Sequence, residues 1–270
     1  MVRMCRLFAQ HASPEHDHTE PLCAAPNALR VQSRQHPHGW GIGWYDGLGV
    51  QVRRGVMPAH ADEAFVEAAR EARSRIVMAH VRDASVGGVL EENTHPFVYG
   101  PWLFAHNGTV ARFRHEERVR ALLEAEIHPV FRAAMAGETD SERCFFLFLT
   151  RLAGRLPDGR QADLEGVRRA LAETVAITAR IADRGADGEE PRSSLNLLIT
   201  NGSLIAVCRH GRALHVAKPG PEGSTLAIAS EPIGEAPWTE VPENGFVGVD
   251  GERQLVEGPL RPRCRLRRAR

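Results

Sequence analysis

The 270-residue chain lacks any apolar run long enough to span a bilayer. Its opening residues, Met-Val-Arg-Met-Cys-Arg-Leu-Phe, are too short and too interrupted for a secretory signal. It also lacks net charge: Lys+Arg and Asp+Glu number 34 each. Overall electrostatics therefore give no reason to expect a nucleic-acid or membrane partner. Lysine is almost missing, with Lys218 the only one. There is no Cys-x-x-Cys pair, and the five cysteines (Cys5, Cys23, Cys144, Cys208 and Cys264) are odd in number. Neither a disulfide framework nor a zinc site is expected, which points to a reduced, cytoplasmic protein. Internal repeats are absent, and no linker divides the chain, so the length reads as one domain with a sizeable core.

What is present reads as strands, then helices, then strands. Residues 39–55 form a hairpin pattern, with Asp46-Gly47 as its turn signal. A helix is expected over 61–73, and buried strands over 76–80 and 102–106. A helical block over 115–135 should break near Pro129. A second helix opens at Thr139-Asp140-Ser141-Glu142, and a third runs over 164–181. Residues 184–193 are loop-like. Strands return at 195–200, 204–208, 214–216, 226–230 and 246–249, with Asn201-Gly202 as the turn between the first two. Two sheets between helix layers would fit this order. The last ten residues hold six arginines and read as a flexible, solvated tail.

Four features carry chemistry. Cys5 lies almost at the amino terminus. Beside a free α-amine of pKa about 7.7–8.0, its thiol would be a self-contained nucleophile and base; the plain alternative is a buried cysteine in a strand. Asn107-Gly108 ends the 102–106 strand and can offer a side-chain amide and a backbone N–H to one oxyanion; the alternative is a simple turn. Arg82 can grip a carboxylate in bidentate fashion, or form a surface salt bridge with Asp83 or Glu91. Asp140 is either a helix cap or a carboxylate for a substrate ammonium, in which case Arg82 and Asp140 match the two ends of an α-amino acid. His95 reads equally as a hydrogen-bond partner behind the site or as a packed core histidine. His16-Asp17-His18 and His36-Pro37-His38 lack further ligands at regular spacing, so no metal is expected.

Taken in order, Met4-Cys5-Arg6-Leu7-Phe8, Gln32-Ser33, the hairpin 38–45, Ala79-His80-Val81-Arg82, Ala84-Ser85, Asn93-Thr94-His95-Pro96-Phe97, Phe104-Ala105-His106-Asn107-Gly108 and Glu138-Thr139-Asp140-Ser141-Glu142 resemble the class II glutamine amidotransferases. The segments 194–200 and 228–232 resemble the distal strands of the stand-alone members. The resemblance implies an α+β fold, the four-layer αββα sandwich of N-terminal-nucleophile hydrolases. It implies an amidohydrolase domain over 5–258, followed by a basic tail over 259–270. Cys5 would attack a γ-glutamyl amide, and Asn107 and Gly108 would hold the oxyanion. Arg82 would take the substrate α-carboxylate and Asp140 its α-amine, with Ser85 and His95 also at the substrate site. No cofactor is implied.

The substrate would be glutamine or a γ-glutamyl amide. The family includes members of ergothioneine synthesis and of glutathione degradation. An ammonia-accepting synthase subunit is a possible partner, since the chain leaves no room for a synthase domain; oligomeric state is not specified. Two departures from the family pattern stand out. Three residues precede Met4, so Cys5 gains a free amine only if Met4 is the true start or the leading residues are removed. And His38 precedes Gly39-Trp40, without the Asp that stand-alone members often carry there. A non-catalytic binding protein with a blocked Cys5 is the competing reading.

Overall fold

The computed structural model describes residues 5–155, 162–183, 192–218 and 226–261. The residues ahead of Cys5, most of the expected 184–193 loop, Cys264 and the tail from 262 onward lie outside the described residues.

Among these residues two antiparallel sheets stack face to face. The first contains β1 (Arg6–His16), β2 (Trp40–Asp46), β3 (Gly49–Gly55), β4 (Ser74–Val81), β9 (His215–Ala217), β10 (Leu226–Ala229) and β11 (Trp238–Glu240), in the order β11-β9-β10-β1-β4-β2-β3. The second contains β5 (Phe97–Tyr99), β6 (Trp102–Thr109), β7 (Ser194–Thr200), β8 (Ile205–Cys208), β12 (Gly245–Val249) and β13 (Leu255–Pro259), in the order β13-β12-β8-β7-β6-β5. Between the sheets Leu7, Ala9, Ile76 and Met78 of the first meet Leu103, Ala105, Leu198 and Val207 of the second, all buried. Alternate residues of β1 and β4 point the other way. Phe8, Val77, Ala79 and Val81 pack under the short helix α1 (Leu29–Gln32) and the amphipathic α2 (Glu63–Glu71). This alternation follows from the two-residue period of a strand. On the far side α3 (Glu117–Ala125), α4 (Pro129–Arg132), α5 (Asp140–Ala153) and α6 (Leu164–Ala182) form the other helical layer, with Phe104 stacked on Phe145 at 5.1 Å. The result is the expected αββα sandwich.

Local rules place most elements. In the hairpin, Asp46 is the last residue of β2 and accepts the Leu48 N–H, while the glycine in the left-handed region is Gly49 (φ 115°). Asp62 caps α2 by accepting from Ala64 N. The 115–135 block does split, but the first helix ends four residues before Pro129. Helix α3 ends at Ala125, and Pro129 occupies the first turn of α4, where its missing N–H costs nothing. The turn at Asn201-Gly202 forms, with Asn201 Oδ1 accepting from Leu204 N. α1, β5, β11 and β13 have no counterpart among the expected elements, and β1 is anticipated only in the plain reading of Cys5 as a strand residue.

Candidate active site

Cys5 sits just before β1, half-buried between the two sheets. β1 is clamped between β4 and β10, with Leu7 paired to His80 and Phe8 to Ala229. The Leu7 N–H also donates to Ser230 Oγ (2.8 Å). The chain end is thereby fixed against the turn after β4. There the Asp83 N–H donates to Cys5 Sγ (3.3 Å), and the thiol in turn faces the Asp83 carbonyl (3.4 Å). Burial pushes the Cys5 thiol up to about 11, with the Asp83 backbone and the Arg82 charge opposing that rise.

β6 delivers the second group. Asn107 and Gly108 are not in a turn: they remain strand residues, paired with Asn196 and Leu195 of β7. β5 covers only 102–104 of β6, so the 107–108 end has no strand on that side among the described residues. Asn107 is buried, and its Nδ2 donates to the Cys5 carbonyl at 2.5 Å. One of its two amide hydrogens remains to serve an oxyanion. Gly108 is required by close approach, because a Cβ there would stand 1.8 Å from the Ser194 carbonyl oxygen and 2.5 Å from His106 Nε2. His106, immediately before them, donates from Nε2 to that same carbonyl (2.9 Å), which leaves Nδ1 to accept from Ser141 Oγ (2.9 Å). It ties α5 to the β6–β7 pair.

Arg82 extends β4 by a backbone exchange with the residues before β2: its N–H donates to Gly39 O, and its carbonyl accepts from His38 N. The side chain is buried rather than in a surface salt bridge. Its guanidinium donates to the carbonyls of Gly88 (2.7 Å), Val86 (2.9 Å) and Gly87 (3.3 Å). Burial lowers its pKa, while the neighbouring Cys5 and Asp140 work against that. Asp140 is likewise buried. The cap of α5 is Thr139, which accepts from Glu142 N. Asp140 is the first helical residue and accepts from Val110 N (2.8 Å) and Ser141 N (2.9 Å). Its charge bears on Cys5, Arg82 and His106 alike.

Two expected substrate contacts look different. Ser85 is exposed on the loop after Arg82, where it lines a cleft of about 540 Å³ with Arg114, Arg120, Glu138 and Arg143. His95 is 3 % exposed and packs against His80 (ring centroids 4.2 Å) and Phe97 (4.6 Å); neither ring nitrogen has a hydrogen-bond partner. It is the packed core histidine of the two readings, not a hydrogen-bond partner, and burial holds its pKa well below the usual value. Of the histidine pairs, His18 is buried and bonded to Gln10 and the Ser74 carbonyl (2.9 Å each). Among the described residues, no group of three or more His, Cys, Asp or Glu side chains converges as metal ligands.

Asp83 was not singled out from sequence as a contact of the nucleophile. Its role is carried by its backbone, which residue identity does not reveal. Its carboxylate lies 3.1 Å from His38 Nδ1, and the same nitrogen receives the Ala84 N–H at 3.1 Å. His38 thus lines the turn that holds the thiol.

A family model described as class-II glutamine amidotransferases matches residues 4–231. The γ-glutamyl-hercynylcysteine sulfoxide hydrolase of Mycolicibacterium smegmatis is 29% identical, over 95% of this chain and 100% of that protein. The protein of the same name from Mycobacterium tuberculosis is 30% identical, over 83% of this chain and 84% of its own. Among solved structures, a glutamine aminotransferase class-II domain protein from Silicibacter pomeroyi superposes with a TM-score of 0.64 at 22% identity, covering 96% of this chain and 100% of that one.

Proposed function

Because the chain belongs to the class-II glutamine amidotransferases, we propose that it hydrolyses the γ-glutamyl amide bond of a small γ-glutamyl compound through a Cys5 thioester. The observation that carries this is one convergence: two segments 102 residues apart place the Asn107 amide on the Cys5 carbonyl, beside a thiol held by the Asp83 backbone. In the mature form Cys5 is the first residue, and its own α-amine takes the thiol proton. The sulfur attacks the γ-carbonyl. Asn107 Nδ2 and the Gly108 N–H stabilise the oxyanion. The intermediate collapses, the α-ammonium returns the proton to the leaving amine, and water cleaves the thioester to glutamate. Arg82 receives the substrate α-carboxylate through its remaining N–H groups, and Asp140 receives the α-ammonium. Ser85 stands on the loop that Arg82 holds.

Residues 5–258 are read as the amidohydrolase domain. Full-length alignment with a stand-alone hydrolase supports hydrolysis rather than ammonia supply. An ammonia-accepting synthase subunit is needed only if glutamine itself is the substrate. Four described cysteines are free thiols, which fits a cytoplasmic setting. No helix among the described residues is long and apolar enough to cross a membrane.

The test is kinetic. Glutamine and a panel of γ-glutamyl peptides are incubated with the Cys5-first protein, with acid quench and intact-mass measurement. Turnover with a glutamyl adduct on Cys5 is expected. Absence of both adduct and glutamate release across the panel would refute the reading.

A further inference from the structure

The loop between β8 and β9 is fastened beside the oxyanion end of β6. Asn196 stands opposite Asn107 across the β6–β7 pair. Its Nδ2 donates to the carbonyls of Arg212 (3.1 Å) and Ala213 (3.4 Å), and its Oδ1 accepts the His210 N–H (3.0 Å). The His210 carbonyl receives Leu195 N at 2.7 Å. Gly211, at φ 99°, lies against Ser194, and its N–H is held by the Glu243 carboxylate at 2.9 Å. Arg212 is therefore carried on a fixed backbone, next to the strand residues that face Asn107 and Gly108.

Among the described residues its side chain has no counter-ion. Neighbouring Arg209 pairs with Glu240 and Glu243, and Arg6 pairs with Glu231. Among the described residues Arg212 makes no side-chain hydrogen bond or ion pair, and its Nε is buried with no partner. A half-buried guanidinium left unpaired is costly, and an anion would complete it. Its charge reaches Cys5, Arg6 and His106. The other cation that bears on Cys5, Arg82, does so together with Asp140, a pair matched to the two charges of an α-amino acid. Arg212 has no acid in that position.

We propose that Arg212 binds a carboxylate on the leaving amine, so that the preferred substrates are γ-glutamyl derivatives of amino acids rather than glutamine. This rests on the Cys5 amidohydrolase reading. A γ-glutamyl amide lies across the sulfur with its amino-acid end toward Arg82 and Asp140. The group on the scissile nitrogen then extends toward Arg212, and a carboxylate one carbon from that nitrogen meets the guanidinium in bidentate fashion.

The test compares kcat/KM for γ-glutamylglycine and γ-glutamylglycinamide, which differ only in that charge. The wild type should favour the acid by about tenfold or more, the range of a charge-assisted hydrogen bond. Arg212→Gln should bring the ratio close to one, and Arg212→Lys should keep part of it; the lysine variant also serves if the glutamine variant misfolds. A ratio near one in the wild type, or a ratio unchanged in Arg212→Gln, would overturn the proposal. If the wild type cleaves neither compound, the Cys5 reading falls first, and this inference with it.

Discussion

A thiol held up to about 11 is ionised at neutral pH only to the order of one part in ten thousand. The site therefore needs a base, and among the hydrogen bonds described none links a side-chain base to Sγ; its partner is the Asp83 backbone. In the proposed mechanism the α-amine of Cys5 fills that need. For the Cys5-first protein, kcat/KM should rise with pH through about 7.7–8.0, the range where an α-amine loses its proton, and not near 11. Cys5→Ala should abolish turnover while circular dichroism and melting stay close to wild type, because the smaller side chain loses only contacts to backbone. Asn107→Ala should lower kcat by about a hundredfold or more; near-normal kcat would remove Asn107 from the oxyanion site. Cys5, Asn107 and Gly108 were legible as candidates in the sequence because each lies in a motif of the ordered series, and the structure sets the Asn107 amide on the Cys5 carbonyl. Arg212 was not, since its relevance depends on the Asn107–Asn196 register, which sequence separation hides. The two readings of His95 stayed open for a similar reason: a buried, unpartnered imidazole and a hydrogen-bonding one look the same as letters.

Elements hold these residues through a few short-range devices. Thr139 caps α5, and Glu142 reaches back to the N–H groups of Ala136 and Gly137, so the helix start that carries Asp140 is fixed from both sides. Thr139→Ala should cost about 1 kcal/mol and lower Tm by a few degrees, readable by calorimetry. Gly108→Ala should be far worse, because its Cβ would enter the Ser194 carbonyl. A loss of about 3 kcal/mol or more is expected, and a Tm within a degree of wild type would show that β7 can move aside. Long elements were legible: α2, α5 and α6 from their apolar period and caps, and the β2–β3 hairpin from its turn glycines. β5 and β11 span three residues each, too few for alternation to register. β13 is an edge strand with no buried face to write into the sequence.

At the scale of the molecule, the fold buries neutral histidines. Burial lowers His80 to about 3 and His18 to about 4, with His95 moved the same way. An unfolded chain takes up protons on these rings near 6.5, whereas the folded one resists. Their contribution is therefore fully present above about 6.5 and is lost as pH falls toward 4. Melting temperature should drop steadily over that interval; a flat Tm from 7 to 4.5 would contradict the burial of uncharged rings. From the residues alone the sandwich was legible only as an order of strands, helices and strands, because neither strand pairing nor the two-sheet stacking is a local property; the four layers followed from the family resemblance. The central claim concerns the sulfur and its own amine, and the most direct measurement compares two forms of one protein. One begins at Cys5, and the other retains Met4 ahead of it, each verified by intact mass. Hydrolysis of a γ-glutamyl peptide by the first form and loss of at least about a thousandfold in kcat/KM in the second are predicted. Equal rates in both would contradict the α-amine as the base.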